Sequence, residues 1–228
     1  MLSSPARVKL NLIDLKHGVE FSRYEGIPGV TVASEVSSAI KMLQRLCNEM
    51  NSRYAEMKKK GIEKLDTALE GVDLEVVVID EAAVLFDMSG KDKDGKSEHH
   101  IARNLADDLA RRSRACGIHL VIATQKVTKE TIDSRIQGNI ESKLCFKVPS
   151  DIHSRLVIER GDAAHLPDIK GRAIWHRGNE YIHVQVPLIE KREIENEIKI
   201  LSYKRKERIQ MENCTTRSQE QSTKALDS

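Results

Sequence analysis

Residues Val8 to Asp14, V-K-L-N-L-I-D, alternate apolar and polar side chains, then double the apolar positions and end on a carboxylate, the pattern of a short strand. Gly26, Pro28 and Gly29 punctuate the loop that follows. From Ser34, a residue type that caps helices, Val36, Ile40, Leu43, Cys47, Met50, Tyr54 and Met57 recur at intervals of three and four, which predicts an amphipathic helix. The lysines 58–60 and Gly61 close it, cations in the last turn and glycine beyond. Leu74 to Asp80, L-E-V-V-V-I-D, is apolar and β-branched without strict alternation, which predicts a strand covered on both faces of a parallel sheet. A polar loop, Asp87 to Ser97, precedes a helix carrying Ile101, Leu105 and Leu109 on one stripe and ending near Cys116 and Gly117.

Ile118 to Thr124 reads as another buried strand, Thr128 to Ile140 as a helix, Leu144 to Val148 as a strand, and Ser150 as the cap of a short helix reaching about Arg160. Arg172–Trp175 and Tyr181–Val186 are spaced to pair across the turn at Arg177 to Glu180. Strands alternating with helices of these lengths predict an α/β fold, a mostly parallel sheet with helices on both faces, finished by a C-terminal β-hairpin. The chain divides into a folded part, 1–189, a charged helix, 190–211, and a polar tail, 212–228, expected to be disordered.

With 228 residues the length suits one domain, and 37 basic against 35 acidic side chains leave a net charge of only +2, so any nucleic-acid surface must be a local cluster. Lys91, Lys93 and Lys96, then Lys126 and Lys129, then Lys204-Arg205-Lys206 are such clusters, although most lysine clusters are only solvated surface. Aromatic residues make up 4%, too few for a base-stacking platform. No apolar run approaches the roughly 20 residues of a membrane span, and no signal segment opens the chain, so a soluble cytoplasmic protein is expected. Cys47, Cys116, Cys145 and Cys214 are widely spaced and read as buried thiols rather than a disulfide or zinc set. His99 and His100 diverge by about 100 degrees on a helix.

Candidate chemistry sits at Val76-Val77-Val78-Ile79-Asp80-Glu81, a strand ending in two carboxylates. Sites in open α/β sheets form beyond the carboxyl ends of strands. An aspartate there can hold a magnesium ion that bridges nucleotide phosphates, and a neighbouring glutamate can orient and deprotonate the attacking water; equally, such a carboxylate can cap the next turn. The following strand ends at Ala123-Thr124-Gln125, where a hydroxyl or amide could feel a γ-phosphate.

These residues, with Ile101-Ala102-Arg103 and the run Arg114 to Gln125, resemble the motor domain of the FtsK/SpoIIIE family of DNA translocases. Leu12-Ile13-Asp14-Leu15-Lys16, Gly18-Val19-Glu20, Tyr24 to Pro28, Glu49-Met50, Arg53-Tyr54, Asn139-Ile140, Phe146, Val148, Ser150 and Ser154-Arg155 extend the likeness over about 180 residues. The resemblance implies a RecA-like P-loop ATPase fold, a hexameric ring of identical subunits around double-stranded DNA, and ATP with Mg2+. It makes Asp80 the Walker B metal residue, Glu81 the catalytic base, and Thr124 and Gln125 nucleotide-facing groups with Gln125 as sensor. Where relatives often carry a trans-acting arginine this chain has Lys143, which leaves Arg155 as the candidate.

Gly90-Lys91-Asp92-Lys93-Asp94-Gly95-Lys96-Ser97 fits the phosphate-loop pattern letter for letter. It is nonetheless expected to be a solvated connection, because it does not follow directly on a strand and carries two aspartates that would repel a triphosphate. The resemblance places the true loop upstream of Val8. The chain then corresponds to the C-terminal two-thirds of a motor, incomplete at its N-terminus, with exposed strand edges, marginal stability and little ATPase activity alone. Transport of chromosomal or of conjugative DNA fits equally, and the competing expectation is a catalytically silent module docking on a translocase ring or DNA-transfer complex.

Overall fold

The structure, a computed structural model, describes residues 8–16, 18, 20–65, 72–86, 97–126, 128 and 134–201. A four-stranded parallel sheet runs in the order β2-β1-β3-β4, with β1 Val8–Asp14, β2 Val30–Ala33, β3 Leu74–Asp80 and β4 Ile118–Ile122. Helix α1, Val36–Lys60, and helix α3, Glu98–Arg112, pack on each other and on the sheet, while the single-turn α2, Ala82–Leu85, follows β3. A second, antiparallel sheet contains β5 Ser142–Phe146, β6 Arg172–Arg177 and β7 Glu180–Gln185 in that order, preceded by α4, Ser134–Asn139, and interrupted by α5, Asp151–Ile158.

Helix α1 buries Leu43, Leu46 and Met50 completely against Ile13, Val77 and Ile79 of the sheet and Ala102, Ala106 and Leu109 of α3. Each of those three side chains stabilises the fold by roughly 1.5–3 kcal/mol. The helix starts one residue later than its sequence suggests: Glu35, not Ser34, is the N-cap, in a capping box with Ser38. It ends where expected, at Gly61, whose φ of 66° is left-handed. A β-carbon at Gly61 would touch nothing within 4 Å, so Gly61→Ala is expected to cost backbone strain alone, about 1 kcal/mol. Gly117→Ala is expected to cost more, since φ is 76° and the added carbon meets Leu74 and Arg53 at 3.3 and 3.4 Å. Urea unfolding of the two variants checks the order.

Two polar arrangements tie the layers together. Glu75, on the helix-covered face of β3, accepts from Asn11 of β1 at 2.7 Å and from Arg45 of α1 at 3.2 Å. Arg53 of α1 donates to Glu49 at 2.7 Å and to the Cys116 carbonyl at 3.0 Å.

The strand β3 is less enclosed than its composition suggests. Glu75, Val77 and Ile79 are buried, whereas Leu74, Val76, Val78 and Asp80 between them are only half-buried. The register sets His119 beside Val76 and Val121 beside Val78, and both β4 residues are exposed, Val121 by 47%. Within the described residues β4 pairs only with β3 and β5 only with β6, and Leu144 and Phe146 on β5 are also exposed.

Other boundaries move slightly. Among the described residues between 128 and 140 only Ser134–Asn139 are helical, β4 stops at Ile122, and β5 begins two residues earlier than expected. Ser150 stands at the N-cap of α5, its hydroxyl 2.8 Å from His153 Nδ1. The hairpin forms around the predicted turn. Residues 191–201 are helical, and 202–228 lie outside the described residues, as do 87–96 with Lys91, Lys93 and Lys96, and Lys129. Cys47, Cys116 and Cys145 are buried free thiols; burial pushes Cys47 and Cys145 up to about 11. Among the described residues no helix is long and apolar enough to cross a membrane.

Candidate active site

The parallel register aligns the carboxyl ends of β1 and β3 so that Asp14 lies directly beside Asp80. These two aspartates have opposite environments. Asp14 is fully buried, and its carboxylate accepts the backbone N–H groups of Lys16 at 3.0 Å, Glu20 at 2.9 Å and Phe21 at 3.2 Å. It is a pin for the loop after β1. Asp80 is half-buried; burial raises the pKa of its carboxyl and the Asp14 charge adds to this, against the pull of the Lys16 ammonium.

After Asp80 the backbone turns sharply. Glu81 takes φ 49° and ψ 63°, a left-handed conformation that costs a non-glycine residue on the order of 1–3 kcal/mol. The turn is secured by the Ala82 N–H, which donates to the Ala123 carbonyl at 2.8 Å, while the Ala123 N–H donates to Ile79 at 2.9 Å. The ends of β3 and β4 are thereby laced together, and Glu81 is aimed at the segment after β4.

The Glu81 carboxylate is 8% exposed and well supplied with donors. Oε1 accepts the Thr124 hydroxyl at 2.5 Å, the Gln125 backbone N–H lies 3.3 Å from both oxygens, and Oε2 pairs with Lys16 Nζ at 3.0 Å. Burial pushes its pKa up, but the hydrogen bonds from Thr124, Lys16 and Gln125 outweigh burial and the net shift is down. The hydrogen bond to Glu81 raises the Lys16 ammonium in turn. The Thr124 hydroxyl also accepts the Lys126 N–H at 3.1 Å, which fixes its position.

Asp80, Glu81, Thr124 and Gln125 therefore share one rim, as their places at strand ends suggest. Gln125 reaches Glu81 through its backbone, while its residue is exposed. Arg155 is not brought to this rim by its own element: α5 packs chiefly on β5 and the short turn Asp162–His165, and Arg155 is exposed there. Lys143, only 13% exposed, is paired with Glu159 at 3.1 Å; that hydrogen bond lowers the Glu159 carboxyl pKa. Ser97, the last letter of the phosphate-loop look-alike, accepts the His100 N–H at 3.2 Å as the N-cap of α3.

Lys16 and Asp14 are parts of the site that residue chemistry did not single out. The signal available was the stretch Leu12 to Lys16, in which a lysine follows a strand-ending aspartate by two residues.

A rim of this kind offers a half-exposed carboxylate next to a second carboxylate surrounded by donors, at the carboxyl edge of a parallel sheet, where ligands of such sheets bind. A model of the FtsK/SpoIIIE family matches residues 1–91, and the DNA translocase FtsK of Clostridium tetani is 34% identical over 223 residues, 92% of this chain and 28% of that protein. The chain belongs to the FtsK/SpoIIIE family. The DNA translocase SftA of Bacillus subtilis is 32% identical over 197 residues, 78% of the chain and 20% of its own length. This FtsK/SpoIIIE chain thus spans little more than a quarter, or less, of these relatives.

Among solved structures, the pCW3 conjugation coupling protein TcpA, in a monomer form with ATPγS, superposes with a TM-score of 0.76 at 28% identity, over 85% of this chain and 56% of that one. The type VII secretion ATPase EccC of Thermomonospora curvata, at 20% identity and a TM-score of 0.63 over 87% of the chain and 24% of its own, shares the fold. The architecture is that of the RecA-like P-loop ATPases.

Proposed function

We propose that this FtsK/SpoIIIE chain is part of an ATP-driven translocase of double-stranded DNA, supplying the acidic half of the nucleotide site. One observation carries the reading: Glu81 lies within hydrogen-bond reach of Thr124 and Gln125, at the ends of adjacent strands and next to a half-exposed Asp80. That is the grouping a nucleotide-hydrolysing site needs, one carboxylate for a metal and another to handle the proton of water. The relatives named for DNA translocation and the neighbour holding ATPγS support the same class of substrate.

Asp80 suits Mg2+, an ion held by one or two carboxylates together with waters and phosphate oxygens rather than by a cage of protein ligands. When bound, the ion would neutralise charge on the phosphates. Glu81 orients the attacking water and accepts its proton at a carboxylate oxygen. Thr124 and Gln125 hold Glu81 and face the terminal phosphate, with Gln125 as the sensor. Since Lys143 is committed to Glu159, the exposed Arg155 is the candidate for a guanidinium presented to a neighbouring subunit of a hexameric ring.

The test is ATP turnover by the protein, with magnesium, in the absence and presence of duplex DNA. Turnover that requires magnesium and rises on addition of duplex is expected. Turnover indifferent to duplex, or none, would reject the reading.

A further inference from the structure

The Glu81–Lys16 ion pair has no counterpart in the reading above, which leaves Glu81 free to receive a proton. A carboxylate accepts through two oxygens with about four lone-pair sites. In Glu81 those oxygens face the Lys16 ammonium, the Thr124 hydroxyl and the Gln125 amide, and the side chain is only 8% exposed. Little of the carboxylate remains for a water. The three donors differ in how easily they can leave. The Gln125 amide is backbone, and the Thr124 hydroxyl is fixed by the Lys126 N–H. Lys16, by contrast, is 40% exposed and sits at the end of four rotatable bonds. Its backbone is nevertheless held by the buried Asp14 carboxylate, which also grips Glu20 and Phe21. The ammonium is thus delivered to Glu81 from a fixed point and can swing to solvent or to an anion without moving that point.

We propose that Lys16 is a positioning residue that parks Glu81 in a resting state, so that hydrolysis is slow until the Lys16–Glu81 pair opens. The inference rests on Glu81 being the base and goes beyond it by naming what restrains that base. Opening of the pair is a step that follows nucleotide binding, so the restraint is read in kcat and not in KM.

The experiment is steady-state ATP turnover by the protein, with and without saturating duplex DNA, for wild type, Lys16→Met, Lys16→Arg, Glu81→Gln and the Lys16→Met/Glu81→Gln double variant. Lys16→Met is expected to raise kcat without DNA by about two- to fivefold, the scale of a partly exposed ion pair, with KM for ATP unchanged and the stimulation by DNA reduced accordingly. Lys16→Arg, which can remake the pair, is expected to return to the wild-type rate. The double variant should be as slow as Glu81→Gln, because the lysine acts through the glutamate. Thermal melting verifies that the methionine variant is folded, and Lys16→Gln repeats the measurement if it is not. A lower kcat, a raised KM or an unchanged rate for Lys16→Met, with Glu81→Gln inactive, overturns the restraint alone. Full turnover by Glu81→Gln overturns the base assignment and the restraint with it.

Discussion

Replacing Glu81 with glutamine is expected to lower ATP turnover by about 10²–10⁴-fold, the range contributed by a positioned acid–base group, while nucleotide binding changes little. The amide keeps the shape of the carboxylate and one oxygen that can still accept from Thr124 and Gln125, now 2.5 and 3.3 Å from Glu81. What it loses is the charge that pairs with Lys16 and the capacity to take a proton. A pairing of turnover measurements with a fluorescent-nucleotide titration separates the two losses. If turnover of the variant stays within tenfold of wild type, Glu81 is not the base.

The largest structural effect is expected at Asp14, whose role is loop fixation rather than chemistry. Asp14→Ala leaves three backbone donors, on Lys16, Glu20 and Phe21, without the buried carboxylate that now receives them. Hydrogen bonds to charged groups contribute roughly 1.5–3 kcal/mol each; because the loop can relax toward water, a total of about 3–5 kcal/mol is expected. Asp14→Asn, with one oxygen for three donors, should recover part of it. Chemical denaturation of the two variants measures the difference, and a loss below about 1 kcal/mol for the alanine variant would mean that the loop holds itself.

What is legible in the chain follows the reach of local physics. The seven-residue run Leu74 to Asp80 is a strand because it is apolar and β-branched, and α1 could be drawn from Val36 to Gly61 because spacing, terminal lysines and a left-handed glycine all agree. The carboxylates at the end of β3 and the polar pair after β4 were legible for the same reason, since each follows directly on a strong strand. Lys16 was not. Its meeting with Glu81 depends on β1 lying beside β3, although β2 and α1 intervene along the chain, and periodicity carries no information about neighbours in a sheet. The half-open face of β3 was missed because a β-branched run looks the same whether one side or both are covered. The cap at Glu35 rather than Ser34 turns on which side chain reaches Ser38, a matter of one residue that composition does not decide.

The separation of the strands into two sheets has a consequence for how the molecule breathes. The small cluster of Cys145, Ile158, Ala163, Leu166 and Ile174 is distinct from the much larger cluster around α1, and no ladder of hydrogen bonds joins the sheets among the described residues. Opening β5, β6 and β7 therefore sacrifices only the lesser share of buried apolar surface. Amide protons in the hairpin can exchange with solvent through a partial opening that leaves β1, β3 and the carboxylates at their ends in place.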